Sequence, residues 1–165
     1  MAVKSTILIV DDNEDLLVSI KDSMESYDSA YAVDCAKDAS ECLKYVEQKK
    51  PDLILLDIML PRMDGFTLRE RLKLTDARDV PVIYLTAKYD YDMTRKMGML
   101  TADDFILKPI NIPELLLRIQ KILIWRCYRN RKARLPHMGR KRRARQGDDD
   151  KVHLIPSPRT ATNTQ

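Results

Sequence analysis

The chain is poor in glycine, cysteine and long apolar runs, and each shortage excludes a class of protein. Its 165 residues include four glycines and three cysteines. So few glycines exclude a collagen-like or glycine-rich chain. The cysteines show no CxxC spacing and no even framework, so we expect reduced thiols in a cytoplasmic protein. No apolar run approaches the roughly 18 residues of a membrane span. The N-terminal stretch turns acidic after its apolar run, which is not typical of a signal peptide.

Charge is divided unevenly along the chain. The net charge at neutral pH is +4. Residues 1–125 contain 17 Lys and Arg against 22 Asp and Glu, a net charge of −5. Residues 126–165 contain 12 Lys and Arg against 3 Asp, a net charge of +9. We therefore predict one acidic domain over residues 1–125, followed over residues 126–165 by a basic helix extension and a disordered tail.

Apolar runs alternate with helical spacings through the acidic part of the chain. Strands are predicted over residues 5–10, 31–36, 53–57, 80–87 and 104–108, and helices over residues 14–26, 38–48, 65–74 and 90–100 and from residue 112 onward. Such alternation indicates βα units, in which helices cover both faces of a parallel sheet. We predict an α/β fold, a doubly wound (βα)5 flavodoxin-like parallel sheet with strand order 2-1-3-4-5, and a ligand site outside the carboxyl ends of the strands.

Polar residues stand at the carboxyl ends of four predicted strands. They are Asp11 and Asp12 after the first strand, Asp57 at the end of the third, Thr86 at the end of the fourth and Lys108 at the end of the fifth. Because strands 1 and 3 are neighbours in the predicted order, three carboxylates meet at one edge and repel one another. A small hard cation with oxygen ligands, Mg²⁺, resolves this conflict. Residues 1–125 contain no histidine, which argues against a zinc or iron site there.

Each of these features also has an ordinary structural explanation. An acidic pair at a strand end often serves the following helix, and Asp12 or Asn13 could cap it. A threonine that ends a strand is usually structural, and a lysine before proline usually lies in a solvated turn. Their occurrence together, in order and at the ends of four strands, favours a single functional site.

Four segments resemble the receiver domain of two-component response regulators. They are ILIVDDNED (7–15), PDLILLDIMLPRMDGF (51–66), VPVIYLTA (80–87) and ADDFILKPI (102–110). The resemblance covers roughly residues 4–125. It implies that Asp57 accepts a phosphoryl group from a phosphohistidine on a sensor histidine kinase or phosphotransfer protein. The chain would then be a phosphoacceptor switch that catalyses only its own phosphorylation and dephosphorylation.

The resemblance also implies the roles of the residues around Asp57. Mg²⁺ would be held by Asp11, Asp12, Asp57 and the backbone carbonyl of Met59, and the phosphoryl group would be contacted by Thr86 and Lys108. Phe105 matches the aromatic rotamer switch of the family, although a simple core aromatic is the alternative. The resulting change would alter the surface of the fourth helix, fifth strand and fifth helix, which controls a downstream effector protein.

Two further sets of charged residues suggest what the chain binds. Asp104, Glu114 and Arg118 match charged positions of the dimerisation face in receivers that precede winged-helix DNA-binding domains, so a homodimer is one expected partner. The tail is basic at Arg140, Lys141, Arg142, Arg143 and Arg145. These cations fit a disordered tail, a contact with nucleic acid or an anionic membrane surface, or a truncated end.

The sequence leaves two other functions open. The first is a transcription regulator whose basic C-terminal tail binds DNA directly. Such binding would weaken steeply as the salt concentration rises. The second is a magnesium-dependent phosphatase that shares the acidic cluster and turns over phosphate esters.

Overall fold

The structure, a computed structural model, describes residues 4–87 and 104–134, with side chains as far as residue 129. Its elements are β1 (Ser5–Val10), α1 (Glu14–Tyr27), β2 (Tyr31–Ala36), α2 (Ala39–Gln48), β3 (Leu53–Asp57), α3 (Gly65–Leu72), β4 (Val82–Thr86), β5 (Asp104–Leu107) and the C-terminal helix (Ile112–Arg134). The helix predicted over residues 90–100 and most of the basic tail lie outside the described residues. None of the helices within those two ranges is long and apolar enough to span a bilayer.

The five strands form one parallel sheet in the order β2-β1-β3-β4-β5, as predicted. Val10 at the end of β1 lies beside Leu56, and Asp57 at the end of β3 lies beside Leu85. The carboxyl ends of β1, β3 and β4 therefore meet at one edge of the sheet. This edge, the loop-side edge, is where the polar residues of the sequence were expected to converge.

Apolar side chains cover both faces of the sheet. Leu8 and Val10 of β1 pack into a layer with residues of α2 and α3, whereas Ile7 and Ile9 pack into a layer with residues of α1 and the C-terminal helix. All four are fully buried. A strand covered on both faces needs a continuous apolar run, which explains why β1 and β3 lack the alternation of a half-exposed strand.

The helices begin at side-chain caps. The Asn13 side chain accepts a hydrogen bond from the Leu16 N–H at 3.1 Å, so the cap of α1 is Asn13 rather than Asp12. Asp64 caps α3 by accepting hydrogen bonds from the N–H groups of Phe66 (3.0 Å) and Thr67 (2.9 Å). Such caps satisfy backbone donors that have no partner within the helix.

Replacing the Asp64 cap should produce a pH-dependent loss of stability. Burial raises the pKa of Asp64, but hydrogen bonds from Thr67 and Phe66 outweigh it and hold the pKa below its ordinary value. A carboxyl with a lowered pKa in the folded state stabilises the fold above its unfolded pKa, about 3.9, and this stabilisation is lost as the pH falls through the folded pKa. We expect Asp64→Ala to lower the free energy of unfolding by about 0.5–2 kcal/mol at neutral pH.

Urea unfolding of the wild type, Asp64→Ala and Asp64→Asn at neutral pH and near pH 3 tests this prediction. Asparagine keeps the capping oxygen without the titrating charge, so the stability of Asp64→Asn at neutral pH should lie between those of the wild type and Asp64→Ala. The difference between the wild type and Asp64→Ala should shrink in acid. An equal difference at both pH values would contradict the role of the ionised cap.

Candidate phosphoacceptor and metal site

Three carboxylates crowd the loop-side edge of the sheet. Asp11 directly follows β1 and is fully buried, Asp12 is exposed, and Asp57 ends β3 with only 4% of its surface exposed. One carboxylate oxygen from each lies within 4.8 Å of the others. The Asn13 N–H donates to Asp11 Oδ1 at 3.0 Å, and the Met59 N–H donates to Asp57 Oδ1 at 3.2 Å. The residues that follow each strand therefore hold its carboxylate in place.

Lys108 brings a positive charge to the same edge. Its Nζ lies 2.6 Å from Asp11 Oδ2 and 3.2 Å from Asp57 Oδ2. Its backbone N–H donates to the carbonyl of Thr86 at 2.7 Å, which fixes the residue beside the end of β4. The ammonium group thus bridges carboxylates that lie 46 residues apart in the sequence.

Burial and charge shift the pKa values of this cluster. Burial raises the pKa of Asp57, and the nearby Asp11 charge adds to this effect, whereas Lys108 and the Met59 N–H oppose it. Burial alone would lower the pKa of Lys108, but the hydrogen bond to Asp11 and the charges of Asp57 and Asp11 raise it overall. Lys108 therefore stays protonated at neutral pH and remains a cationic partner for the buried carboxylates.

The donor set fits a divalent cation. Three carboxylates against one ammonium leave an excess of two negative charges in a small, largely buried volume. Hard carboxylate oxygens are the ligands that Mg²⁺ prefers, and such a cation would offset both the burial and the repulsion from Asp11 that raise the pKa of Asp57. Asp11, Asp12 and Asp57 are the side chains that would hold it. The role of the Met59 carbonyl stays a prediction, and the Met59 side chain is 69% exposed.

Thr86 and Phe105 lie on neighbouring strands beside this cluster. Thr86 ends β4 and is fully buried, and it lies in register with Leu107 of β5. Phe105 lies in register with Tyr84 and is partly buried against the layer formed with α2 and α3. Phe105 is thus neither a fully buried core aromatic nor a fully exposed one. The switch roles of both residues stay predictions.

The three residues of the expected dimer face are joined within one chain. Arg118 Nη1 donates to both carboxylate oxygens of Asp104, at 2.8 and 2.9 Å. Arg118 also donates from Nε (3.0 Å) and Nη2 (2.7 Å) to Glu114 Oε1. A dimer through this face would have to share or replace these contacts, and its existence stays a prediction. Residues 140–145 of the basic tail lie outside the described residues.

Gly65 is a site residue to which the sequence analysis gave no role. Its N–H donates to the Ile58 carbonyl at 2.9 Å, which folds the loop after Asp57 back onto the start of α3. A Cβ atom here would lie 3.0 Å from the Ile58 Cα and closer still to the backbone oxygen of Asp57. The available signal was a glycine at the first position of a predicted helix, directly after a capping Asp64.

Comparisons with known proteins agree with this geometry. The sequence model of the response regulator receiver domain matches residues 7–120. The chain is 39% identical over 118 residues to the alkaline phosphatase synthesis transcriptional regulatory protein PhoP of Bacillus subtilis, covering 71% of this chain and 48% of that protein. It is 39% identical over 120 residues to the DNA-binding dual master transcriptional regulator RpaA of Synechocystis, with the same two coverages. The chain thus spans about half the length of these curated relatives.

Solved structures show the same fold. A CheY-like response regulator receiver domain protein from Methanospirillum hungatei superposes with a TM-score of 0.66 at 34% identity, covering 73% of this chain and 94% of that one. The non-phosphorylated HemR receiver domain of Leptospira biflexa gives a TM-score of 0.64 at 32% identity, with the same coverages. The predicted family is therefore confirmed: the chain belongs to the response regulator receiver domains of two-component systems.

Proposed function

We propose that Asp57 accepts a phosphoryl group from a phosphohistidine on a sensor histidine kinase or phosphotransfer protein, in a Mg²⁺-dependent reaction. The new phosphoryl group then alters the surface built from the predicted helix at residues 90–100, β5 and the C-terminal helix. That surface controls a downstream effector protein. Residues 1–125 would carry this receiver activity, and residues 126–165 would form the basic helix extension and tail that follow it.

One observation carries the proposal. The Lys108 ammonium lies within 3.2 Å of the carboxylate at the end of β3, and a second buried carboxylate lies against the same ammonium. A buried, unpaired carboxylate would be costly, so its position requires groups that stabilise its charge. The same groups suit a site where a transferred phosphoryl group brings further negative oxygens.

The chemistry requires little beyond positioning and charge neutralisation. An oxygen of Asp57 attacks the phosphorus atom, the bond between phosphorus and the donor histidine nitrogen breaks, and an acyl phosphate forms on Asp57. Lys108 stabilises the oxygens of the moving group, and the Thr86 hydroxyl can donate a hydrogen bond to the product. When bound, Mg²⁺ would neutralise further charge on those oxygens.

The switch would follow from packing at the end of β4. If Thr86 moves towards the new phosphoryl group, it vacates space that the partly buried Phe105 ring can enter. This local change would bias the population of two surface states without any large motion of the sheet.

Intact-mass spectrometry after incubation with a small acyl phosphate and Mg²⁺ tests the proposal. We expect a gain of one phosphoryl group per chain, and no gain when EDTA removes the divalent cation. A magnesium-dependent phosphatase would instead release phosphate from esters over many turnovers. Such turnover without a phosphorylated chain would reject the proposal.

Lys108→Met should slow phosphoryl acceptance strongly. Methionine keeps much of the side-chain length but removes the charge that faces Asp11 and Asp57. Loss of one electrostatic partner of a developing charge typically costs about 10²- to 10³-fold in rate. Lys73→Met is the matched control, since the Lys73 ammonium pairs with Glu70 on α3. Equal rates of phosphorylation in the two variants would contradict the assigned role of Lys108.

A second candidate function is favoured by the names of the curated relatives, which are transcriptional or DNA-binding regulators. We propose as the alternative that the basic tail of this chain contacts DNA directly. The test variant carries glutamine at Arg140, Lys141, Arg142, Arg143 and Arg145, and the control variant carries glutamine at the exposed residues Lys4, Lys44, Lys50, Arg71 and Lys121.

Tail-mediated binding should be salt dependent. We expect the affinity of the wild type for duplex DNA to fall steeply between about 50 and 200 mM salt. The tail variant should bind weakly throughout, and the control variant should behave as the wild type. Equal loss in both variants would show that the tail has no special part in DNA binding.

A further inference from the structure

An arginine-lined cavity lies at the opposite end of the sheet from Asp57. Its volume is about 230 Å³, and it is lined by Val80 and Pro81, which directly precede β4, and by residues of α3 and the C-terminal helix. Thr86, beside the carboxylate cluster, lies at the other end of β4. The cavity is therefore separate from the phosphoacceptor site. We call it the arginine cavity.

Arg69 is the buried member of this cavity. Only 6% of its surface is exposed, and its Nη1 atom is buried without a hydrogen-bond partner. Among the described residues, no carboxylate lies within ion-pair distance of its guanidinium group. A buried cation without a partner is costly, and natural proteins usually supply a counter-charge. The observation therefore points to an anionic group that the chain itself does not provide within the described residues.

The other charged residues of the cavity add to its positive charge. Arg78, Arg126 and Arg129 also line it. Among the described residues of the lining, Asp79 is the single acidic one, so these residues together with Arg69 carry a net charge of +3. Asp79 already lies 3.6 Å from Arg78. Arg126 Nη1 donates to the backbone carbonyl of Asp52 at 2.6 Å, which fixes this part of the C-terminal helix beneath the sheet.

We propose that the arginine cavity binds a phosphate-type oxyanion, either free inorganic phosphate or the phosphate group of a small ester. Guanidinium groups match the oxygens of such anions with paired N–H donors, and a doubly charged oxyanion balances most of the excess of +3. The volume also fits, because a water molecule occupies about 30 Å³ in the liquid, so the cavity holds a small oxyanion with some of its hydration.

Trp125 makes this site directly observable. It is the single tryptophan of the chain and lines the cavity beside Arg126 and Arg129. The residue is 63% exposed, and its ring stacks on Tyr128 with the ring centroids 6.0 Å apart. A ligand that enters the cavity changes the surroundings of this ring, so the intrinsic fluorescence of the chain reports on the cavity.

The experiment is a titration of the full chain with inorganic phosphate, followed by tryptophan fluorescence and thermal unfolding. EDTA is present throughout and sodium chloride keeps the ionic strength constant, so that neither Mg²⁺-dependent chemistry nor general screening contributes. We expect a saturable fluorescence change and a rise of the melting temperature with phosphate concentration, because a ligand that binds the folded state stabilises it. Asp57→Asn should respond as the wild type, which separates this site from the phosphoacceptor site.

Two matched variants of α3 identify the site. Arg69→Met removes the buried guanidinium and should weaken phosphate binding at least about tenfold, a loss typical of a charged hydrogen bond. Arg71→Met, two residues along the same helix, is the control, because Arg71 is exposed and lies outside the cavity lining. Arg129→Gln, at an exposed position, provides the same test should Arg69→Met fail to fold.

The outcomes separate the alternatives. Saturable binding that is lost in Arg69→Met or Arg129→Gln and kept in Arg71→Met supports the proposal. A parallel titration with a nucleoside monophosphate identifies the source, since tighter binding than inorganic phosphate indicates an esterified ligand that also contacts Trp125. No saturable response to either ligand, or an equal response in the cavity variants and Arg71→Met, would overturn the proposal and leave the function of Asp57 untouched.

Discussion

Asp57→Asn is expected to abolish phosphoryl acceptance in the presence of Mg²⁺ and a small acyl phosphate. The amide keeps the size and shape of the side chain but lacks the anionic oxygen that attacks phosphorus. Among the described carboxylates of this site, Asp11 is fully buried against the Lys108 ammonium and Asp12 lies after β1, so neither is expected to take the place of Asp57. We therefore expect the intact mass of this variant to stay unchanged after incubation, whereas the wild type gains one phosphoryl group.

The stability of the same variant separates loss of chemistry from loss of fold. Asp57→Asn removes one of three crowded carboxylates, so it should melt at the same temperature as the wild type or higher when EDTA is present. Asp22→Asn, at an exposed position on α1, is the matched control and should be phosphorylated normally. Full phosphorylation of Asp57→Asn would mean that another residue is the phosphoacceptor.

Gly65→Ala, at the first residue of α3, is expected to destabilise the fold strongly. The added Cβ would lie 3.0 Å from the Ile58 Cα and closer still to the backbone oxygen of Asp57. Backbone atoms at the end of a fully buried strand cannot move aside cheaply, so the loop and α3 must shift together. We expect the free energy of unfolding to fall by roughly 3 kcal/mol, at the upper end of the range typical of overpacking.

Urea unfolding measures this loss, and a second variant controls for it. Arg71→Ala adds no atoms and lies at an exposed position of the same helix, so its free energy of unfolding should change by no more than about 0.5 kcal/mol. Because the shift displaces the backbone of Asp57, Gly65→Ala should also be phosphorylated more slowly where it remains folded. A Gly65→Ala protein as stable as Arg71→Ala would mean that the loop adapts to the methyl group.

Much of the fold follows from local patterns in the sequence. The predicted bounds of the first three strands, residues 5–10, 31–36 and 53–57, coincide with those of β1, β2 and β3, because turn and capping residues flank these apolar segments. The fourth strand was predicted from residue 80 but begins at Val82. Pro81 has no N–H to donate to a ladder, and only its carbonyl is used, by Ile54 at 3.0 Å.

The end of α3 shows a limit of reading helices from spacing. The helix was predicted to continue to residue 74 but ends at Leu72. The Thr75 hydroxyl donates to the Leu72 carbonyl at 2.8 Å and accepts from the Ala77 N–H at 3.1 Å, which turns the chain away from the helix axis. The threonine side chain competes with the helical backbone for hydrogen bonds only because the chain turns after it. The spacing of apolar residues gives no information about that turn.

The convergence of the candidate site was predictable, but its tightest contacts were not. Because parallel strands in the predicted order end at the same edge of the sheet, Asp11 and Asp57 are expected there together. The lysine that follows β5 lies at this edge as well, so it can reach them. The contact between Gly65 and the backbone of Asp57 depends on how a loop folds back, and the burial of Arg69 depends on how two helices and a turn close around it. A polar residue in an amphipathic helix is expected to face water, so no periodicity predicts that Arg69 is buried.

The measurement that tests the central claim most directly is the location of the phosphoryl group by fragmentation mass spectrometry. The wild-type chain is treated with a small acyl phosphate, with and without Mg²⁺, and digested under conditions that preserve acyl phosphates. We predict one phosphoryl group on the peptide that contains Asp57, assigned to that residue and present only with Mg²⁺. Modification of any other residue, or equal modification in EDTA, would contradict a magnesium-assisted phosphoacceptor at the end of β3.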